Sequence, residues 1–136
     1  MHLLAGILLA LFVCQSQAEQ TLHWLEYDIH YTTYPSTLIS ADVAAAHGII
    51  RSDNRLVTNI TVIKKGKAVQ LMIDGHAKNL LEQQFDLEFS EIKEHGAIYY
   101  LANQIISEQD AISFEISIKP MGETDAYLLK FARRYY

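Results

Sequence analysis

The chain reads as an all-β protein: an antiparallel, immunoglobulin-like β-sandwich with one short helix. Three observations predict this. Short stretches of apolar–polar alternation recur along the chain; turn residues such as Lys65-Gly66, His95-Gly96 and Pro120-Met121-Gly122 separate them; and no helical pattern alternates with strands as a parallel sheet would require. About six to eight strands at this spacing suit a sandwich. A small closed barrel is the alternative way to bury the same faces.

The first segment stands apart from that pattern. Residues 1–18 contain no Asp, Glu, Lys or Arg, and an apolar run from Leu3 to Val13 leads into Gln15-Ser16-Gln17-Ala18, with small residues where a leader peptidase cuts after Ala18. The run is too short to span a bilayer. A cleaved signal peptide is therefore expected, with residues 19–136 forming a single β-sandwich domain in the periplasm and no membrane span after cleavage. An uncleaved anchor is the alternative, because the amino end lacks the Lys or Arg that fixes orientation. Lipidation at Cys14 is disfavoured by bulky Val13. Cys14 is the only cysteine, so a mature chain beginning at Glu19 has no disulfide, thiolate nucleophile or thiolate metal ligand.

From Leu25 to Thr33 the residues alternate, with Tyr27, Ile29 and Tyr31 on one face and Asp28, His30 and Thr32 on the other, which predicts a half-buried first strand. Tyr34-Pro35-Ser36 ends it, since proline lacks a ladder N–H. Ser40 to Gly48 is the one helical candidate. Ser40 can cap the first turn, Asp42 suits the helix dipole, Ala44 to Ala46 favour helix, and Gly48 suits a left-handed close. Arg51-Ser52-Asp53-Asn54-Arg55 then makes a polar turn. Leu56 to Lys64 is rather apolar on both faces, which predicts a central strand covered on both sides at least in part. Lys65-Gly66-Lys67 reverses the chain into a return strand led by Val69, Leu71 and Ile73, with Asp74-Gly75 a candidate bulge. Phe85, Leu87 and Phe89 alternate next. Ile98 to Ile106 forms a strongly apolar strand, a turn is expected over 107–110, Ile112 to Ile118 alternates again, and a final strand runs from Ala126 to Tyr136.

Charge and motifs narrow the function classes. Eleven Lys and Arg against 16 Asp and Glu give a net charge of −5 without a basic block, which argues against nucleic acid as a partner. No phosphate loop, nucleophile elbow or zinc-protease helix occurs, so no catalytic residue is assigned and the protein is expected not to be an enzyme. His23, His30, His47, His76 and His95 lie at no metal-ligand spacing, so neither metal site nor cofactor is assigned. The tyrosines together with Trp24 are read mainly as core, with an interaction face on the terminal strands as the competing reading.

The candidate binding residues are Arg51, Asp53, Asn54 and Arg55. Two guanidiniums at one sheet end can grip a carboxylate or phosphate, and Asn54 adds an amide donor. The competing reading makes Asp53 and Asn54 ordinary turn residues and the arginines caps on backbone carbonyls.

Four segments carry a family resemblance. RSDNRLVTNITVIKKG (51–66), DGHAKNLLEQ (74–83), EIKEHGAIYYLA (91–102) and KFARRYY (130–136) resemble the small exported bacterial proteins grouped as the DUF4426 family. The resemblance implies a signal peptide and one β-rich domain, in gammaproteobacterial proteins often encoded near methionine-biosynthesis genes. It implies no activity and no catalytic residues. The expected function is a non-catalytic periplasmic binding or accessory module with a protein partner; the alternative is capture of a small anion or metal ion.

Overall fold

The computed structural model describes residues 19–105 and 110–135. The expected leader with Cys14, and most of the expected turn over 107–110, lie outside the described residues. The strands are β1 (Gln20–Trp24), β2 (Tyr27–Pro35), β3 (Arg55–Lys64), β4 (Lys67–Ala68), β5 (Leu71–Lys78), β6 (Gln84–Leu87), β7 (Phe89–Glu94), β8 (Ala97–Ile105), β9 (Asp110–Pro120) and β10 (Tyr127–Tyr135). A 3-10 turn (Ser36–Leu38) and helix α1 (Ala41–His47) occupy the β2–β3 connection. One sheet has the order β1-β2-β3-β8-β7, with β4 alongside the end of β3; the other has the order β10-β9-β5-β6. Every pairing is antiparallel. This is the sandwich with one short helix that the alternation predicts.

The inter-sheet core follows the period-two pattern of the strands. Ile29, Leu56, Ile60, Phe114, Ile116 and Ile118 are completely or almost completely buried between the sheets, each aliphatic contributing about 1.5–3 kcal/mol on transfer from water. A second, smaller core lies on the outer face of the first sheet, where Val57, Ile92 and Leu101 pack beneath Ile39 and Ala44. Leu56 and Val57 are thus both fully buried, on opposite faces of β3, as its two apolar faces require. Tyr99 and Tyr100 likewise separate, Tyr99 to the outer cluster and Tyr100 to the inter-sheet core.

The helix has the predicted ends. Ser40 Oγ accepts a hydrogen bond from the Val43 amide at 3.3 Å, and Gly48 closes the helix at φ 67. That left-handed conformation is cheap only for a residue without Cβ.

Four local readings need correction. The strand expected from Leu25 is the second, β2, and begins at Tyr27, because Leu25 sits at φ 54 in a tight turn from which β1 pairs back on β2. The return strand after Lys65-Gly66 lasts only two residues before the chain crosses to the second sheet at Val69-Gln70, where the Leu71 amide donates to the Tyr100 hydroxyl at 2.8 Å. Phe85 to Phe89 is two strands, since the chain changes sheet at Glu88. Gly75 is no bulge: the β5–β9 register runs unbroken from Leu71 opposite Pro120 to Lys78 opposite Ser113. Glycine is needed there for closeness, because a Cβ would stand 2.8 Å from the Glu115 carbonyl oxygen.

The crossover is tied down by one buried hydroxyl. Tyr100 Oη accepts from Leu71 N and donates to Glu91 Oε2 at 2.7 Å, so a single side chain links the two sheets. Burial, reinforced by the Glu91 charge, pushes the Tyr100 phenol up to about 12. The same hydroxyl holds the Glu91 carboxyl below its usual value.

Candidate functional site: a crevice at Arg55

The polar turn before β3 is closed by serines. Ser36 Oγ donates to the Ser52 carbonyl oxygen and accepts from the Ser52 amide, both at 2.9 Å, which joins the two ends of the 36–54 connection. Within the turn, Asn54 Oδ1 accepts from Ser52 Oγ, and the Arg55 amide donates to the Ser52 carbonyl at 3.2 Å. These bonds fix where Arg51 and Arg55 emerge.

The two arginines then part. Arg51 Nη2 donates to the Thr37 carbonyl at 3.2 Å and closes the 3-10 turn. Arg55 is the first residue of β3, on the outward face with Val57, and Ile105 lies directly across from it on β8. Its Nη1 reaches Asn103 Oδ1 at 3.5 Å, a long and weak hydrogen bond, and Asn103 Nδ2 is 3.5 Å from the Ile50 carbonyl oxygen. Among the described residues Arg55 has no ion-pair partner. Of the four expected residues, Arg55 lines a cavity that the other three do not line. Arg51 caps backbone, Asn54 completes the turn, and Asp53 is exposed.

That cavity is a crevice of about 220 Å³ between the end of α1 and the β7–β8 hairpin. His47, Arg55, Glu88, Ser90 and Asn103 provide its polar wall, and Val57 and Leu101 its apolar floor. Ile50 lines it, and Ile105 stands beside Arg55 as its strand partner on β8; each is more than half exposed. A partly buried guanidinium with spare donors beside an amide suits a carboxylate, which it can bind through two parallel hydrogen bonds. Sequence reasoning missed Asn103 and Ile50 because they meet Arg55 only through the fold. The apolar strand from Ile98 to Ile106, interrupted by Asn103-Gln104, was the available signal.

The outer face of the second sheet holds a larger, shallower depression of about 370 Å³. Glu115 is its acid and is already engaged: His76 Nε2 lies 3.1 Å from Glu115 Oε2, and Lys130 Nζ lies 3.8 Å from Glu115 Oε1. Of the other described histidines, His23 pairs with Asp28, His30 Nδ1 lies 3.0 Å from Thr21 Oγ1, His95 is exposed, and His47 is half-buried at the Arg55 crevice. Among the described residues no group of three or more His, Cys, Asp or Glu is placed to hold a metal ion. No helix among them is long and apolar enough to cross a membrane.

Comparison with known proteins places this fold among relatives. The profile of a family described as a domain of unknown function, DUF4426, matches residues 23–136. The crystal structure of a DUF4426 family protein from Pseudomonas aeruginosa PAO1 is similar over 89% of this chain and 97% of that one, at 34% identity and a TM-score of 0.82. A copper-bound variant of FetP from uropathogenic Escherichia coli strain F11 shares the fold at 8% identity, with a TM-score of 0.64 over 85% of this chain and 93% of that one. FetP of the same strain, recombinantly expressed in the periplasm of E. coli BL21(DE3), aligns at 14% identity and a TM-score of 0.52 over 87% of this chain and 92% of that one. No functionally curated protein matches the chain in sequence.

Proposed function

The chain belongs to the DUF4426 family, and from that premise we propose that it is a non-catalytic binding module, exported to the periplasm, that grips an acidic group of a protein partner at the Arg55 crevice. The observation that carries this reading is the state of Arg55: a partly buried guanidinium whose one hydrogen bond among the described residues is 3.5 Å long, flanked by exposed Ile50 and Ile105. An arginine framed by apolar residues is the usual make-up of a protein-binding hot spot. Export rests on the uncharged apolar leader of residues 1–18. The copper-bound FetP variant favours metal capture as the alternative, but the described residues supply no group of three or more His, Cys, Asp or Glu placed to hold a metal.

The test is site-specific photocrosslinking in intact cells, with the crosslinker at Ile50, at Ile105 and, as a control, at Met72 on the bare face. The same discrete adduct from both isoleucine positions, absent at Met72 and lost with Arg55→Ala, is expected. Smeared adducts unaffected by Arg55→Ala would overturn the proposal. Fractionation of the same cells checks the compartment.

A further inference from the structure

The two sheets are unequal in width. The first has β1 outside β2, whereas the second ends at β10, whose outer edge pairs with nothing among the described residues. Tyr31 of β2 packs against Phe131 of β10, with ring centroids 4.9 Å apart and the rings tilted by 39°. β10 therefore faces β2, and β1 overhangs it by one strand. The half-buried inward side chains of that overhang, Leu22 and Trp24, reach the second sheet only at its margin, where Trp24 lies 5.7 Å from the Tyr127 ring.

The open edge is long and of one sign. β10 runs nine residues and contains Lys130, Arg133 and Arg134 but no acid, in a chain of net charge −5. Lys130, whose ammonium lies 3.8 Å from Glu115 of the neighbouring β9, and Arg134 point outward with exposed Leu128, while Tyr127, Leu129 and Phe131 point toward the first sheet. Arg133 stacks its guanidinium over Phe131 at 5.2 Å. Pairing two copies of β10 would double this positive charge on one ribbon, so the edge is defended against self-association. It remains open to a strand of opposite charge.

We propose that the free edge of β10 is a strand-addition site for an extended segment of a partner protein in which acidic and apolar residues alternate. The segment adds antiparallel or parallel to β10, about 4.8 Å away, and exchanges main-chain hydrogen bonds with it. Its apolar side chains slide beneath Leu22 and Trp24, giving the overhanging strand a facing layer. Its carboxylates point outward beside Lys130 and Arg134. This surface lies apart from the Arg55 crevice and does not depend on it.

The chain has one tryptophan, and it sits at this seam, so its emission reports occupancy. The probe is a synthetic peptide of alternating valine and glutamate about nine residues long, with a scrambled peptide of equal composition and a valine–lysine version as controls. The valine–glutamate peptide is expected to shift Trp24 emission and to perturb the amide resonances of β1 and β10; the scrambled peptide is expected to do neither. In a Lys130→Glu, Arg134→Glu variant, affinity for it should fall about tenfold or more, and the valine–lysine peptide should bind instead, because like charges repel and opposite charges attract across a strand pair. That exchange of preference also shows that the variant is folded. Equal binding of scrambled and alternating peptides, resonance changes away from β1 and β10, or a preference unchanged by the double reversal would each overturn the proposal.

Discussion

The outer faces of the two sheets have opposite fates. On the first sheet the 36–54 connection lays α1 and Ile39 over Val57, Ile92 and Leu101, so β3 is buried on both sides. On the second sheet His76, Glu115 and Lys130 lie side by side, open to water and paired with one another. The difference teaches where a site can form. The flat middle of a water-covered face offers a partner little to grip, whereas the margin of the covered face leaves a crevice in which Arg55 is half removed from water and makes no ion pair among the described residues. Burial strengthens its attraction for an incoming carboxylate.

The largest expected effect sets the two faces directly against each other. Val57→Asp buries an unpaired carboxylate beneath α1 and should cost about 4 kcal/mol or more, which unfolds a domain of ordinary stability, whereas Leu128→Asp on the bare face should change stability by no more than about 0.5 kcal/mol. Chemical denaturation of both variants checks this. Equal losses would mean that α1 does not seal its sheet.

Next comes the tie that holds the sheets together. Tyr100→Phe leaves the Leu71 amide without its acceptor and should cost about 1–3 kcal/mol. Its pH dependence has a definite sign. Glu91 titrates below its ordinary value, so its contribution is present above about pH 4.3 and is lost as pH falls through the lowered folded value. Tyr100 titrates at about 12 instead of about 10, so its contribution is full below pH 10 and is lost as pH rises toward 12. Both limbs should flatten in Tyr100→Phe, measured as melting temperature against pH. The smallest effect belongs to the bare face, where Glu115→Gln should cost no more than about 0.5 kcal/mol because its ion pairs are solvated.

Much of this was legible in the chain. Ser40 and Gly48 bound α1, and the alternation from Ile112 to Ile118 assigns each of those residues to the correct face, because cap chemistry and side-chain period are local. Sheet membership was not legible. The alternation of Phe85, Leu87 and Phe89 continues straight through the change of sheet at Glu88, and nothing in a period of two records which neighbour a strand hydrogen-bonds. β1 was hidden for a related reason: Leu25 extends the apolar pattern of β2 although its left-handed φ turns the chain. The site was legible by half. The sequence marked the Arg51 to Arg55 turn, but the choice between two arginines four residues apart depends on Thr37 and Asn103, the latter 48 residues from Arg55.

That choice is the central claim, and one paired measurement tests it most directly: melting temperature and partner crosslinking for the single variants Arg51→Ala and Arg55→Ala. The expected pattern crosses over. Arg51→Ala loses its bond to the Thr37 carbonyl, costs about 1 kcal/mol and keeps the crosslink, while Arg55→Ala melts like the parent and loses it. The reverse pattern, with Arg51→Ala losing the crosslink while Arg55→Ala keeps it, would contradict the account.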